Sequence, residues 1–260
     1  MKEISLFFPG ETGLHSLHPL TKAAITGFSL IVAAVMPLYW MVAIYFALVL
    51  LPLALWGRIG KRFLATCAKV IWPFMLSLFP IQGFFAPGHT VLFEIGQFTY
   101  TIEGMLLAMD YTVRILVGIS AALLLMFVTR PDHLMQALVE RGVPHQLGYI
   151  VVTTLQIIPR FQAKAQMILN AQRSRGLETE GSLTHRLRML LPLVGPLILG
   201  SIIDIDERAV ALEARAFNFA SVKTHLYSLH DSRMQVRLRR IALLGVLGMV
   251  VWRVLSVFDQ

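Results

Sequence analysis

Residues 23–56 read AAITGFSLIVAAVMPLYWMVAIYFALVLLPLALW, a run without one charged side chain, and this run decides the fold class. A helix rises 1.5 Å per residue. The run is therefore too long for one crossing of a hydrocarbon layer about 30 Å thick, and short for two generous ones. Pro37, near its middle, brings no N–H to a helix and breaks it. We read two short helices, near 22–37 and 39–56, joined by a tight turn. A chain built this way needs a bilayer as solvent.

Working outward, the same pattern recurs. Nothing between Lys69 and Glu94 carries a formal charge, and that stretch is again long enough to span. Over the 260 residues, 56% are hydrophobic and only 15% charged, against about a quarter charged in soluble domains. Mean hydropathy is +0.68. A third span is expected at 63–85, kinked at Pro73 and Pro80, and a fourth at 104–128. Between them, residues 86–103 form a polar loop with hairpin character over 90–102. A last apolar run, 241–258, crosses once more.

The net charge of +8 raises the question of nucleic acid, and its distribution answers it. Fifteen of the 23 Lys and Arg lie between Arg130 and Arg240, Arg58, Lys61 and Arg62 share one short loop, and 86–103 has none. Basic residues collect in cytoplasmic loops of membrane proteins. Counting from a cytoplasmic N-terminus puts 57–62 inside, 86–103 outside, 130 onward inside and Gln260 outside, in register with the charge. No nucleic-acid partner is expected. Residues 1–10 lack the basic, apolar and small-residue sequence of a signal peptide.

The expected fold is an all-α polytopic membrane protein of about five transmembrane helices plus a cytoplasmic segment of long amphipathic helices. Residues 1–129 form the N-terminal membrane region, 130–240 the cytoplasmic segment and 241–260 the last transmembrane helix. Within 130–240 the apolar pieces are short or broken by Pro192 and Pro196, so the helices expected at 132–141, 145–176 (bent near Pro159) and 184–218 lie along or under the membrane. Basic amphipathic helices of this kind suit a membrane surface or a partner's groove.

Two pieces of that segment carry the functional reading: Ala171-Gln-Arg-Ser-Arg-Gly176 and Ala211-Leu-Glu-Ala-Arg-Ala-Phe217. Each ends a long predicted helix, and each sets an arginine between small residues. One such site is explained by dipole and C-cap chemistry. Two in one segment favour docking, because small neighbours admit a partner's backbone while a guanidinium offers five donors to carboxylates or carbonyls.

The two pieces resemble the paired Ala-Arg-Gly motifs of the transmembrane T component of energy-coupling factor (ECF) transporters. Other stretches resemble the same family in the same order: Leu17-His-Pro-Leu-Thr-Lys22, Glu103-Gly104 followed by Arg114, Arg141-Gly-Val-Pro144, and 186–217 with its Leu-Pro and Asp-Glu-Arg elements. The resemblance implies a coupling region whose two arginines, Arg175 and Arg215, each dock one of two cytoplasmic ABC ATPase subunits. Ser174, Gly176, Ala214 and Ala216 flank them; Glu213 contacts the partner or pairs with Arg215, and Arg173 competes with Arg175 for the first role. It also implies a small substrate-binding membrane subunit, the S component, contacting the apolar faces of the coupling helices through Met167, Ile168, Leu190, Leu193, Leu197 and Leu212. The cargo of such importers is a vitamin or a cobalt or nickel ion, and the membrane is the prokaryotic plasma membrane. The first motif here reads Ser174-Arg175-Gly176, and the second reads Ala214-Arg215-Ala216, without the capping glycine.

Other candidates weigh less. Asp110 and Arg114 share a face of a spanning helix. Asp204 and Arg208 are spaced to pair along theirs. Cys67 is the only cysteine and the eight histidines are scattered, so neither a metal site nor a cofactor is expected. Gly60-Lys61 is not a phosphate loop: Leu55 stands where the earlier glycine belongs, and Arg62 where Ser or Thr would bind magnesium. The chain is read as non-catalytic, with ATP hydrolysis in its partners. The alternative from another class is a membrane-embedded enzyme acting on a lipid or prenyl substrate through Asp204, Asp206 and Glu207. A stand-alone permease is disfavoured by the short, broken helices of 130–240.

Overall fold

The computed structural model describes residues 12–95, 98–176, 183–217, 219 and 231–258. They fold into two compact units, one of residues 12–143 with 231–258, the other beginning at Pro144 and including the described residues up to 219.

In the first unit, α1 (Pro19–Val35) opens with proline at its first position, where the missing N–H is not needed. It stops at Met36, one residue before Pro37. The chain then re-enters a continuous apolar helix: α2 (Tyr39–Tyr45), one widened turn (Phe46–Leu50) and α3 (Leu51–Trp56). In that turn Leu51 N–H reaches back five residues to the Phe46 carbonyl, directly ahead of Pro52, which has no N–H to donate. α4 (Gly60–Phe85) runs unbroken through Pro73 and Pro80. The hairpin character expected over 90–102 is a two-stranded antiparallel sheet, β1 (Val91–Ile95) and β2 (Phe98–Thr101). α5 (Ile102–Val128) and the short α6 (Pro131–Val139) follow. α7 (His145–Ser174) and α8 (Leu183–Ala214) make the second unit, and α9 (Arg233–Phe258) returns to the first.

The all-α membrane architecture holds. Among the described residues, Tyr39–Trp56, α4 and α5 are long and apolar enough to cross a membrane, and α1 is a shorter apolar helix of 17 residues. α9 contains the fifth expected run and begins eight residues before it, at Arg233.

α5 is the centre of the first unit, packed by α1, α2 and α4. Val117, Ala121, Leu124, Phe127 and Val128 pack with Val42, Leu50, Ala54, Phe63 and Cys67 in one buried cluster. Two cations staple α1 to α5 in antiparallel register. Lys22 near the start of α1 donates to the Val128 carbonyl at the end of α5 (3.0 Å), and Arg114 of α5 donates to the Ala33 carbonyl at the end of α1 (2.8 Å). The last carbonyls of a helix have no partner within it, so each helix caps the other. The Asp110–Arg114 pair, 2.8 Å apart, holds the guanidinium in place for this.

α4 and α5 meet through glycine. A Cβ on Gly104 would lie 2.3 Å from the Gln82 carbonyl oxygen and 2.9 Å from the Gly83 Cα. Both are backbone and cannot swing aside, which is how small residues let membrane helices approach closely. Gly104→Ala is therefore expected to destabilise the bundle by about 1–3 kcal/mol, read as a lower melting temperature of the detergent-purified protein.

Candidate functional site

The second unit is a pair of long helices running antiparallel past one another. The Tyr149 ring, at the start of α7, packs on the Phe217 ring just beyond α8, centroids 4.9 Å apart. Further along, Lys164 of α7 crosses α8 at Gly200. Its ammonium donates to the Gly200 carbonyl and to Asp204, both at 2.7 Å. A Cβ at Gly200 would fall 2.7 Å from the Lys164 side chain, so the missing side chain is what admits the lysine. Asp204 thus reaches across to the other helix instead of pairing with Arg208 four residues on, as its spacing led us to expect.

Antiparallel packing sends the two arginine motifs to opposite ends of the pair. Arg175 caps the C-terminus of α7, and Arg215 follows the last residue of α8, beside Tyr149 at the other end of α7. Along the helix these ends lie about 40 Å apart.

The local geometry of the two ends matches. After Arg175, Gly176 adopts φ +91° and donates its N–H to the Arg173 carbonyl (3.0 Å). After Arg215, Ala216 adopts φ +52°, also left-handed. Its N–H bonds the Glu213 carbonyl (2.9 Å) while Phe217 N–H bonds the Leu212 carbonyl (3.0 Å). This is the paired hydrogen bonding of a Schellman cap. The second motif has lost its glycine but kept the turn that glycine favours. Both arginines, with Arg173, Ser174, Gly176, Glu213, Ala214 and Ala216, are exposed.

A left-handed alanine costs about 1–2 kcal/mol that glycine does not pay. Ala216→Gly is expected to raise stability by about 1 kcal/mol. Gly176→Ala, where a Cβ meets nothing within 4 Å, is expected to lower it by a similar amount through backbone conformation alone. Thermal unfolding of the two variants checks the opposite signs.

Of the apolar residues assigned to a partner, Met167 is exposed and Ile168, Leu193, Leu197 and Leu212 are half-buried. The Leu190 side chain lies outside the described residues.

In the first unit, polar groups cluster at the two points where the chain departs for the second unit and comes back. Asp231, shortly before α9, pairs with Arg141 (3.3 Å) and with Arg239 of α9. Arg239 also faces His18 Nδ1 at 3.3 Å, and Gln235 accepts from the His18 N–H at 2.8 Å. His18 Nδ1 accepts from Leu20 N–H as well, and burial holds its imidazole below its ordinary pKa, as a neutral ring. Burial pushes the Asp231 carboxyl up, but the hydrogen bond and charge of Arg239 outweigh it and leave the carboxyl below its ordinary range. The stability this contributes is present above the unfolded aspartate pKa of about 3.9 and is lost as pH falls through the lower folded value. Asp231→Asn should cost about 1–2 kcal/mol at neutral pH. The gap from the parent chain in thermal scans should close as pH falls below about 4.

Among the described residues, no group of three or more His, Cys, Asp or Glu side chains is placed to hold a metal ion. A family model described as a cobalt transport protein, CbiQ, matches residues 10–226, most of the chain. The chain belongs to the CbiQ family. Several similar proteins are named energy-coupling factor transporter transmembrane protein EcfT. The one from Leuconostoc gelidum subsp. gasicomitatum is 27% identical over 95% of this chain and 94% of its own. That from Listeria innocua is 28% identical over 95% and 96%, and that from Brevibacillus brevis 28% over 87% and 88%. A T component of an ECF transporter, the family that the motif order resembles, is what these matches support, over the spans as well as the motifs.

In this family member, sequence reasoning missed Lys164 and Gly200. They hold the crossing of α7 and α8 but stand 36 residues apart with no local pattern to join them.

Proposed function

We propose that this chain is the transmembrane coupling subunit of an ECF-type importer, transmitting the ATP-driven motion of two cytoplasmic ATPases to a substrate-binding membrane subunit. One observation carries this reading: two exposed arginines, each presented by the same left-handed turn, stand at opposite ends of one antiparallel helix pair. Each end offers a guanidinium fork with small neighbours, suited to a carboxylate or carbonyl site on a protein partner. Two ends about 40 Å apart suit two partners better than one. ATP binding draws the ATPases together, the arginine ends follow, and the crossing at Lys164 and Gly200 turns that displacement into a rotation of α7 against α8.

In this scheme 130–240 is the coupling region, the N-terminus is cytoplasmic, and the chain itself does not hydrolyse ATP. Met167, Ile168, Leu190, Leu193, Leu197 and Leu212 contact the substrate-binding subunit, which sets the cargo, a vitamin or a transition-metal ion. The test is to purify the tagged chain from its native membrane in mild detergent. Two ATPase subunits per chain and ATP hydrolysis by the complex are expected. A chain that purifies alone from cells expressing its neighbours would overturn the proposal.

A further inference from the structure

The β1–β2 hairpin joins the adjacent ends of α4 and α5. Both helices are long and apolar enough to cross a membrane, so the hairpin lies at a bilayer boundary whichever way the chain is oriented. It does not stand away from the helices. The Tyr100 hydroxyl donates to the Phe79 carbonyl at 3.4 Å, and Phe79 is six residues before the end of α4, about 9 Å back along its axis. The Tyr100 ring fills the space over Gly83, where a Cβ would come within 2.0 Å of it. Phe93 stacks flat on Tyr100, centroids 4.8 Å apart, and Phe84 of α4 meets Tyr100 edge-on at 5.2 Å. At the other side, Glu103 in the first turn of α5 accepts from the Thr90 hydroxyl at 2.6 Å and from the Thr90 N–H. The hairpin is thus anchored through the Tyr100 side chain on the last turns of one spanning helix and tied through Glu103 to the first turn of the next.

Its first strand is nevertheless largely apolar and uncovered. Val91, Leu92 and Phe93 are 48%, 51% and 46% exposed. A lone two-stranded sheet is marginal in water, and three successive exposed apolar residues make it worse. Ile81 on α4 and Ile102 and Leu106 on α5 are exposed as well, as are the side chains that lipid covers on any membrane-spanning helix. One residue beyond Phe93 the character changes: Glu94 and Thr99, paired across the strands, are exposed and polar. Three apolar side chains thus adjoin one carboxylate on the same strand, the mixture that suits the headgroup layer, where aromatic and apolar groups anchor proteins at the interface.

We propose that the hairpin is a membrane-interface anchor, with Val91, Leu92 and Phe93 immersed at the boundary of headgroups and acyl chains and Glu94 in water. It stands on the membrane-spanning helices alone and is independent of any coupling to ATPases. The test places a nitroxide on Leu92→Cys or on Glu94→Cys in the full chain, reconstituted in phosphatidylcholine–phosphatidylglycerol vesicles. Cys67 is buried, and the labelled parent chain supplies the background. Both replaced residues are exposed, so folding is undisturbed. Power saturation with oxygen and with a water-soluble nickel chelate reads the depth of each label. The Leu92 label should be several-fold more accessible to oxygen than to nickel, and the Glu94 label the reverse. A Leu92 label as open to nickel as Glu94 would overturn the proposal, and so would one shielded from both reagents, which would mean cover by protein.

Discussion

Replacing Arg175 and Arg215 together by glutamate is expected to remove the ATPase subunits from the purified complex while the chain inserts and folds as before. Both side chains are exposed, so their reversal is expected to leave the bundle stable. At a docking surface, however, each change replaces a donor fork by a carboxylate facing acceptors, and like-charge contact adds to lost hydrogen bonds. Truncating one buried charged partner costs about 2–5 kcal/mol at protein interfaces, and reversal at two ends compounds it. Affinity should fall by at least about three orders of magnitude, seen as loss of co-purification. Either single variant should weaken association without abolishing it. Co-purification of the double variant at parental yield would remove the docking assignment.

The second large effect separates transmission from docking. Lys164→Met deletes both 2.7 Å contacts that hold α7 against α8, and Gly200→Leu places bulk where the lysine now lies. The partly exposed Lys164–Asp204 pair adds little to stability, so both variants should fold and bind ATPases. What they lose is the fixed crossing that makes the helices move as one lever. Uptake should drop on the order of tenfold, ~1.4 kcal/mol of coupling, while ATP hydrolysis continues. Because the two changes act on one contact, the double variant should be no worse than either alone. Uptake and hydrolysis falling together would point to docking instead.

Much of the membrane unit is readable from single residues. Pro37 ends α1 within a residue of where its missing N–H requires, and the alternation over 90–102 is a real hairpin. What resisted reading is long-range. Lys22 and Arg114 attract attention as charges beside or within apolar runs, but their task, capping each other's helices, needs the antiparallel pairing of α1 with α5. Ala216 reads as a lost cap because alanine disfavours a left-handed turn. The turn survives, and Phe217, which follows it, packs on Tyr149, 68 positions away. Asp204 has an apparent partner four residues on and a real one forty residues back. In each case spacing along one helix was legible and the neighbouring helix was not.

At the centre of the proposed transport cycle, the two arginine ends meet two different ATPase protomers. Photo-crosslinking tests it directly, with a benzophenone amino acid at Ser174 in one variant and at Ala214 in another, in membranes containing the assembled transporter. Each position should capture an ATPase subunit, and a chain carrying both should capture two at once. Failure of both positions to reach an ATPase, while Met167 in the same membranes does, would contradict it.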